Sequence, residues 1–117
     1  MKTNVRTTRI NDEIAQQTAQ IIRSELKDPR ISTVTTVVKA EATKDLKLCK
    51  VYVSILGDKE EKVRALEGLQ NAAGFIRKQL AANINLRSTP EIKFVLDESL
   101  DYSMRIDEII KGINEND

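Results

Sequence analysis

Two short runs in which apolar and polar residues alternate limit the possible folds of this chain more than any other feature. In the first run Val38 and Ala40 share one side, and in the second every other residue from Cys49 to Ile55 is apolar. A Thr-Lys-Asp link, residues 43–45, joins them. Because successive side chains of a strand point to opposite faces, the pattern predicts an antiparallel hairpin with one buried face. The opposite, mostly wet face, called here the outer sheet face, carries Lys39, Glu41, Lys50, Tyr52 and Ser54.

Apolar residues spaced three and four apart predict a helix on each side of this hairpin. The first runs from about Thr8 to Lys27, and it ends there because Pro29 disfavours the α conformation in the residue before it. The second begins after Asp58, whose side chain can accept a hydrogen bond from the first turn, and continues to about Ala82. Its apolar stripe consists of Val63, Leu66, Leu69, Ala73, Ile76 and Leu80.

Gly74 interrupts this second helical stripe. Glycine inside a helix costs about 1 kcal/mol relative to alanine, so the helix is weakest at that point. Two interpretations fit the residues: an unbroken helix with an incidental glycine, or two helices that meet at a kink.

A third strand and a last helix follow in the sequence. Pro90 marks a turn, and Ile92 and Phe94 alternate with polar neighbours as a strand. Residues 102–113 again show apolar spacing typical of a helix. Three strands with helices separated from the hairpin predict an α+β domain of two layers.

Composition excludes several classes of protein. The 117-residue chain fits one domain, placed at residues 1–113, with a short polar tail at 114–117. The chain has no His and a single Cys49, which excludes His-based acid–base catalysis, a disulfide framework and a thiolate zinc cluster. Cys49 is in phase with the buried valines and is interpreted as a small core residue. The acidic groups near Asp97 and Asp107 complement the start of a helix, so we expect no catalytic residue, metal, cofactor or small-molecule substrate.

No apolar run is long enough to span a membrane, and no signal-peptide pattern opens the chain, so we expect a cytoplasmic protein without a membrane partner. Net charge is +1, but residues 1–89 carry sixteen Lys or Arg against ten Asp or Glu, whereas residues 90–117 carry three against eight. Clustering of like charge can form a phosphate-binding surface, but charge also fluctuates along any chain of this length. The charge alone therefore leaves an anionic partner as one of two interpretations.

Five strings occur in order along the chain: residues 25–30 (ELKDPR), 50–57 (KVYVSILG), 72–77 (AAGFIR), 86–92 (LRSTPEI) and 104–108 (MRIDE). Together they resemble the ribosome-binding factor A family of bacterial ribosome assembly factors, over nearly the whole chain. The resemblance implies a type II KH-like fold, in which a three-stranded mixed sheet carries helices on one face. It also implies a helix–kink–helix at Ala72-Ala73-Gly74, where other KH domains have a Gly-x-x-Gly loop.

The kink is the first candidate for RNA contact. The kink has no bulky side chains, since it consists of Ala72, Ala73 and Gly74. A phosphate could therefore approach backbone N–H groups at the start of the following helix. Arg77 and Lys78 follow one turn later, where their side chains could reach the same phosphate. The alternative is that these residues are small because another helix packs there, and that the basic pair is merely solvated. The resemblance favours RNA contact.

Seven further basic residues form a second rank of candidate RNA contacts: Arg6, Arg9, Arg23, Lys27, Arg30, Arg87 and Lys93. Lys27 and Arg23 could instead complement the negative end of the first helix, and Arg30 could bond to Asp28 in the turn. Aromatic residues are scarce, and both Phe75 and Phe94 are in phase with the core. We therefore expect recognition of RNA shape and phosphate positions rather than base stacking.

By resemblance, the chain is a non-enzymatic and monomeric assembly factor. It would bind free small ribosomal subunits or their precursors through the 5′-terminal helix region of the rRNA, and be needed for processing of the rRNA 5′ end and for growth in the cold. Two alternatives remain open: a general KH-like protein that binds single-stranded RNA, and a module that docks on ribosomal proteins through the outer sheet face.

Overall fold

Six helices and strands follow one another in the part of the chain that the structure describes. This computed structural model describes residues 5–26, 29–31, 35–86 and 88–98, and the side chains of all of these except Val5 and Arg6. The elements are α1 (Val5–Ser24), β1 (Thr35–Ala42), β2 (Leu48–Ile55), α2 (Lys59–Asn71), α3 (Ala73–Asn83) and β3 (Glu91–Leu96). The predicted order of these elements is confirmed, whereas the predicted last helix at 102–113 and the tail at 114–117 lie outside the described residues.

The sheet has the strand order β1-β2-β3 and mixes both pairings. Strands β1 and β2 form the predicted antiparallel hairpin, which pairs Ala42 with Cys49. Strand β3 runs parallel to β2 and pairs Ile92 with Cys49. The long connection through α2 and α3 makes this parallel pairing possible, because a parallel neighbour cannot follow a tight turn.

One predicted position in the hairpin is wrong. Val38 was expected on the buried face with Ala40, but its side chain is 48% exposed. A bulge between Val37 and Lys39 inserts one extra residue into β1, so Val37 pairs with Val53 and faces inward in its place.

All the described helices pack on the inner face of the sheet, and their buried residues form one cluster with it. The largest fully buried side chains are Ile14, Ile55, Leu69, Ile76, Leu80, Ile92, Val51 and Val53. Helix α1 lies against β1, while α2 and α3 lie against β3. The two-layer prediction with helices on one face is confirmed.

Two buried side chains of this core contain a polar group. Cys49 is fully buried as predicted, and burial raises the pKa of its thiol to about 11. Thr18 completes the buried stripe of α1, and its hydroxyl has no hydrogen-bond partner among the described residues. An unpaired buried hydroxyl destabilises the folded state relative to an apolar group of the same shape.

Helix α2 begins where the sequence predicts. The Asp58 side chain accepts a hydrogen bond from the Glu61 backbone N–H at 2.8 Å, which satisfies one free donor of the first turn. The predicted stripe of α2 is wrong at Val63, which is 47% exposed. Val63 lines an open groove of about 490 Å³ between α2 and β3, together with Leu66 and Ile92. Its side chain borders this groove and is not covered by the sheet.

Candidate nucleic-acid interface

The junction between α2 and α3 is the centre of the predicted site. Helix α2 ends at Asn71 and α3 starts at Ala73, with Ala72 between them at φ −85° and ψ −3°. The Ala72 N–H donates to Gly68 O at 3.1 Å and to Leu69 O at 3.0 Å, which closes α2. The chain therefore bends at Ala72. This confirms the predicted kink and excludes the single unbroken helix.

The start of α3 has no capping side chain, since Ala72 has no polar side-chain atom to accept a hydrogen bond from the first turn. Gly74 lies in the first turn of α3 and is exposed. Beyond its two chain neighbours and the backbone of its own helix, a Cβ atom placed on Gly74 would meet nothing within 4 Å. The surface beside Gly74 is thus open at the position that a Cβ atom would occupy.

Packing explains only part of the Ala72-Ala73-Gly74 string. Ala73 is buried in the core and Ala72 packs against it, so both are small because other elements lie close. Gly74 has open space around it, and helix packing does not account for its lack of a side chain. The alternative offered at the sequence level holds for the two alanines and is wrong for the glycine.

Arg77 is tied to the turn before β3. Its Nε and Nη2 donate to the backbone carbonyl of Thr89 at 3.2 Å and 3.0 Å. These two bonds link α3 to the turn and hold the guanidinium on that side of the helix. Sequence reasoning missed this contact because the two residues are far apart in the chain and Thr89 contributes only its main chain.

The Lys78 side chain leaves the helix in a different direction from the Arg77 side chain. Consecutive residues of a helix lie about 100° apart around its axis, so Arg77 and Lys78 do not form a single cationic pair. The Lys78 side chain is exposed, and within the described ranges it has no hydrogen bond or ion pair. Of the two basic candidates at the kink, Lys78 is therefore the one whose charge is available to a phosphate.

Arg30 is brought to the kink by the turn that follows α1. With the Asn71 amide oriented so that its oxygen faces the guanidinium, Arg30 Nη1 and Nη2 donate to it at 3.2 Å and 3.0 Å. Asn71 immediately precedes Ala72, so this second-rank residue lies beside the junction. Asp28, the local partner considered for Arg30, lies outside the described residues.

The other second-rank residues do not gather at the kink. Arg9 and Arg23 are exposed near opposite ends of α1, about 20 Å apart along the helix. Lys93 is exposed on β3 and pairs in register with Lys50, on the outer sheet face. The side chain of Arg6 and the residues Lys27 and Arg87 lie outside what the structure describes.

Phe75 was predicted to be in phase with the core, and this is wrong. Its side chain is 42% exposed, whereas Phe94 is buried at 4% as predicted. Ala73, Ile76 and Leu80 form the buried stripe of α3. Phe75 lies about 100° around the helix from Ile76, so its ring points away from that stripe.

The outer sheet face carries a network of paired charges. Lys39 Nζ lies 3.2 Å from Glu41 Oε1, and the Tyr52 hydroxyl donates to Glu41 Oε2 at 3.4 Å. The Lys39 ammonium also lies 4.9 Å from the centroid of the Tyr52 ring. The hydrogen bond to Glu41, followed by its charge, raises the pKa of Lys39. Lys39, Glu41 and Lys50 are exposed as predicted, and the charges of Lys39 and Glu41 are paired with each other.

Metal-binding and membrane-spanning features have no counterpart in the described part of the chain. Within residues 5–26, 29–31, 35–86 and 88–98, no group of three or more His, Cys, Asp or Glu side chains is arranged to hold a metal ion. None of the described helices is both long and apolar enough to cross a membrane.

Comparison with known proteins gives one consistent result. A family model described as ribosome-binding factor A matches residues 6–110. The chain is 47% identical over 116 residues to ribosome-binding factor A from Lachnospira eligens, covering 99% of this chain and 89% of that protein. The crystal structure of ribosome-binding factor A from Thermus thermophilus superposes with a TM-score of 0.70 at 25% identity, over 80% of this chain and 97% of that one.

A further structural match is a homology model of the Thermus thermophilus factor fitted into a cryo-electron-microscopy map of its complex with the 30S subunit. It superposes with a TM-score of 0.62 at 26% identity, over 75% of this chain and 91% of that one. The described elements thus have the KH-like arrangement of these structures.

Proposed function

Because the chain belongs to the ribosome-binding factor A family, we propose that it is a non-enzymatic assembly factor that binds the small ribosomal subunit or its precursors. Support comes from the relative whose model was fitted into a complex with the 30S subunit. We place this activity in a single monomeric domain at residues 1–113, acting in the cytoplasm where subunits are assembled.

The observation that carries the proposed RNA contact is the open first turn of α3. Gly74 leaves space for an anion at a helix start that has no capping side chain. Backbone N–H groups and the helix dipole favour a phosphate there. Lys78 supplies an available positive charge one turn later, and the Arg30 guanidinium lies on the other side of the junction.

In this proposal Ala72 and Ala73 have an indirect role. They let α2 and α3 pack closely at the bend, and this packing positions Gly74 at the surface. Arg77 also acts indirectly, because its bonds to the Thr89 carbonyl fix α3 against the turn before β3. Direct phosphate contact then belongs to the α3 backbone and Lys78, whereas Arg30 is held beside the junction by its bonds to Asn71. Contact of RNA with the remaining second-rank residues stays a prediction.

Binding of this kind would act on rRNA folding. A protein that binds one of two RNA conformations more tightly shifts the population toward it by the difference in binding free energy. We propose that the favoured conformation includes the 5′-terminal helix region of the small-subunit rRNA, and that processing of the 5′ end depends on it. Misfolded RNA persists longer in the cold, so the requirement should increase as temperature falls.

Deletion of the gene tests this role. The proposal expects precursor rRNA with an extended 5′ end to accumulate, more strongly at low growth temperature. The wild-type gene should restore processing, and a Lys78→Glu variant expressed at the same level should restore it poorly. Normal 5′ ends in the deletion strain at every temperature would contradict the proposed role in processing.

The docking alternative predicts a different dependence. A module that binds ribosomal proteins through the outer sheet face would tolerate Lys78→Glu and would lose function on Lys50→Glu. Lys50 lies on β2 in the outer sheet face and Lys78 lies on α3, so these variants separate the two surfaces.

A further inference from the structure

The aromatic rings of the described residues differ in how accessible they are. Phe94 is buried in the core, and Tyr52 is half-buried with the Lys39 ammonium over its ring. Phe75 is 42% exposed and is the described aromatic residue with the most accessible ring. The other large exposed apolar side chains, Val38, Leu56 and Val63, are aliphatic and offer no aromatic face.

Phe75 lies beside the features that suit a phosphate. It directly follows Gly74, beside which an added Cβ would meet nothing within 4 Å beyond the chain neighbours and the backbone of the same helix. Lys78 is three residues further along α3, on the adjacent helix surface at about 5–6 Å between Cβ atoms. An aromatic face, an available ammonium and the first turn of α3, which has no capping side chain, are thus grouped within one helical turn.

A nucleotide has a matching pair of groups. Its base is a flat ring that stacks on aromatic side chains, and its phosphate is an anion attached through the sugar. In RNA, the bases that proteins stack against are unpaired ones in loops, bulges and ends, because paired bases are already stacked in a helix. The surface around Phe75 therefore fits one unpaired nucleotide better than it fits a stretch of duplex.

We propose that Phe75 stacks against an unpaired base of the bound rRNA, while the α3 backbone at Gly74 and the Lys78 ammonium hold the adjoining phosphate. This inference rests on the proposed RNA contact at the kink and adds a base contact to it. Recognition would then depend on one exposed base as well as on RNA shape.

Affinity for purified small subunits tests the stacking contact. Phe75→Leu keeps an apolar, helix-favouring residue at an exposed position but removes the aromatic face, so the fold should be retained. Loss of one base stack predicts roughly 5- to 150-fold weaker binding. Phe75→Trp should bind as well as the wild type or more tightly, because the larger ring stacks at least as well.

Salt dependence separates the base contact from the phosphate contact. Stacking releases no counterions, so Phe75→Leu should weaken binding by the same factor at every salt concentration. Lys78→Gln should instead reduce the slope of log K against log salt by about 1. A Phe75→Leu variant with wild-type affinity would overturn the stacking proposal.

Fluorescence gives a direct readout, because the natural chain contains no Trp. Trp emission of the Phe75→Trp variant should be strongly quenched when small subunits are added, as expected for an indole stacked on a base. Val38→Trp is the matched control, since Val38 is similarly exposed but lies on the sheet, away from the helix junction. A blue shift without quenching at position 75 would contradict stacking and would assign Phe75 to a protein pocket.

Binding to small subunits and stacking by Phe75 can be disproved separately. If the wild-type protein does not bind small subunits, the proposed function fails, and the base contact fails with it. If the wild type binds, and Phe75→Leu binds equally well or the emission of the Phe75→Trp variant does not change, only the stacking inference is overturned.

Discussion

The guanidinium of Arg77 donates two hydrogen bonds to the backbone carbonyl of Thr89, at 3.2 Å from Nε and 3.0 Å from Nη2. This contact joins the helix after the kink to the turn that leads into β3. Arg77 and Lys78 are neighbours in the sequence, but one contributes to the structure of the site and the other offers a charge to its surroundings. Substitution of the two residues should therefore have different consequences.

Replacement of Arg77 should lower stability more than replacement of Lys78. Arg77→Gln removes two charge-assisted bonds at a solvent-exposed position, so we expect the free energy of unfolding in urea to fall by about 1 kcal/mol. Lys78→Gln is the matched control and should change it by less than about 0.5 kcal/mol. Equal effects of the two substitutions would contradict a structural role for Arg77.

Substitution of Gly74 should move stability and binding in opposite directions. Gly74→Ala places a Cβ in open space within a helix, so urea unfolding should show a gain of about 0.5–1 kcal/mol. The same methyl group obstructs the approach of a phosphate to the backbone, and affinity for small subunits should fall severalfold. A more stable variant with unchanged affinity would show that no ligand contacts this turn.

The buried hydroxyl of Thr18 gives a prediction about stability alone. Thr18→Val removes a polar group that has no partner among the described residues while keeping a similar shape, so thermal unfolding should show a gain of about 1 kcal/mol. Thr36→Val, at an exposed position of β1, should change stability by less than about 0.5 kcal/mol. A loss of stability in Thr18→Val would indicate that the hydroxyl has a hydrogen-bond partner in solution.

The Cys49 thiol predicts how stability depends on alkaline pH. Burial raises its pKa from 9.0 to about 11, so the folded state holds the proton more tightly than the unfolded state. The stabilisation from this thiol is present below about pH 9 and is lost as pH rises toward 11. Urea unfolding across this interval should show a smaller decline for Cys49→Val than for the wild type, and parallel declines would contradict the raised pKa.

Local sequence patterns are sufficient to predict most of the helices and strands. Alternation around residues 43–45 predicted the hairpin, and Asp58 predicted the start of α2, because both depend on interactions between nearby residues. The parallel pairing of β3 with β2 came only with the family resemblance, since alternation does not encode the direction of a neighbour. The position of Val38 was wrong because a bulge leaves no distinct signature in the sequence.

The candidate site was less predictable than the fold. Its bend followed from the resemblance, but the exposure of Phe75 depends on how α3 is rotated after Ala72. The partners of Arg77 and Arg30 are backbone or amide oxygens from segments distant in the chain, and no residue pattern marks such contacts. These are tertiary features, and they decide which of the predicted cations are available to a ligand.

Cosedimentation with purified ribosomal particles over a series of salt concentrations tests whether the protein binds the small subunit through RNA phosphates. We expect binding to small subunits in preference to large subunits and whole ribosomes, with affinity that falls steeply as salt increases. Lys78→Glu should weaken this binding by roughly tenfold or more, whereas Lys44→Glu, in the hairpin turn, should leave it nearly unchanged. No binding, or equal binding to all three particles, would show that the protein is not a factor specific for the small subunit.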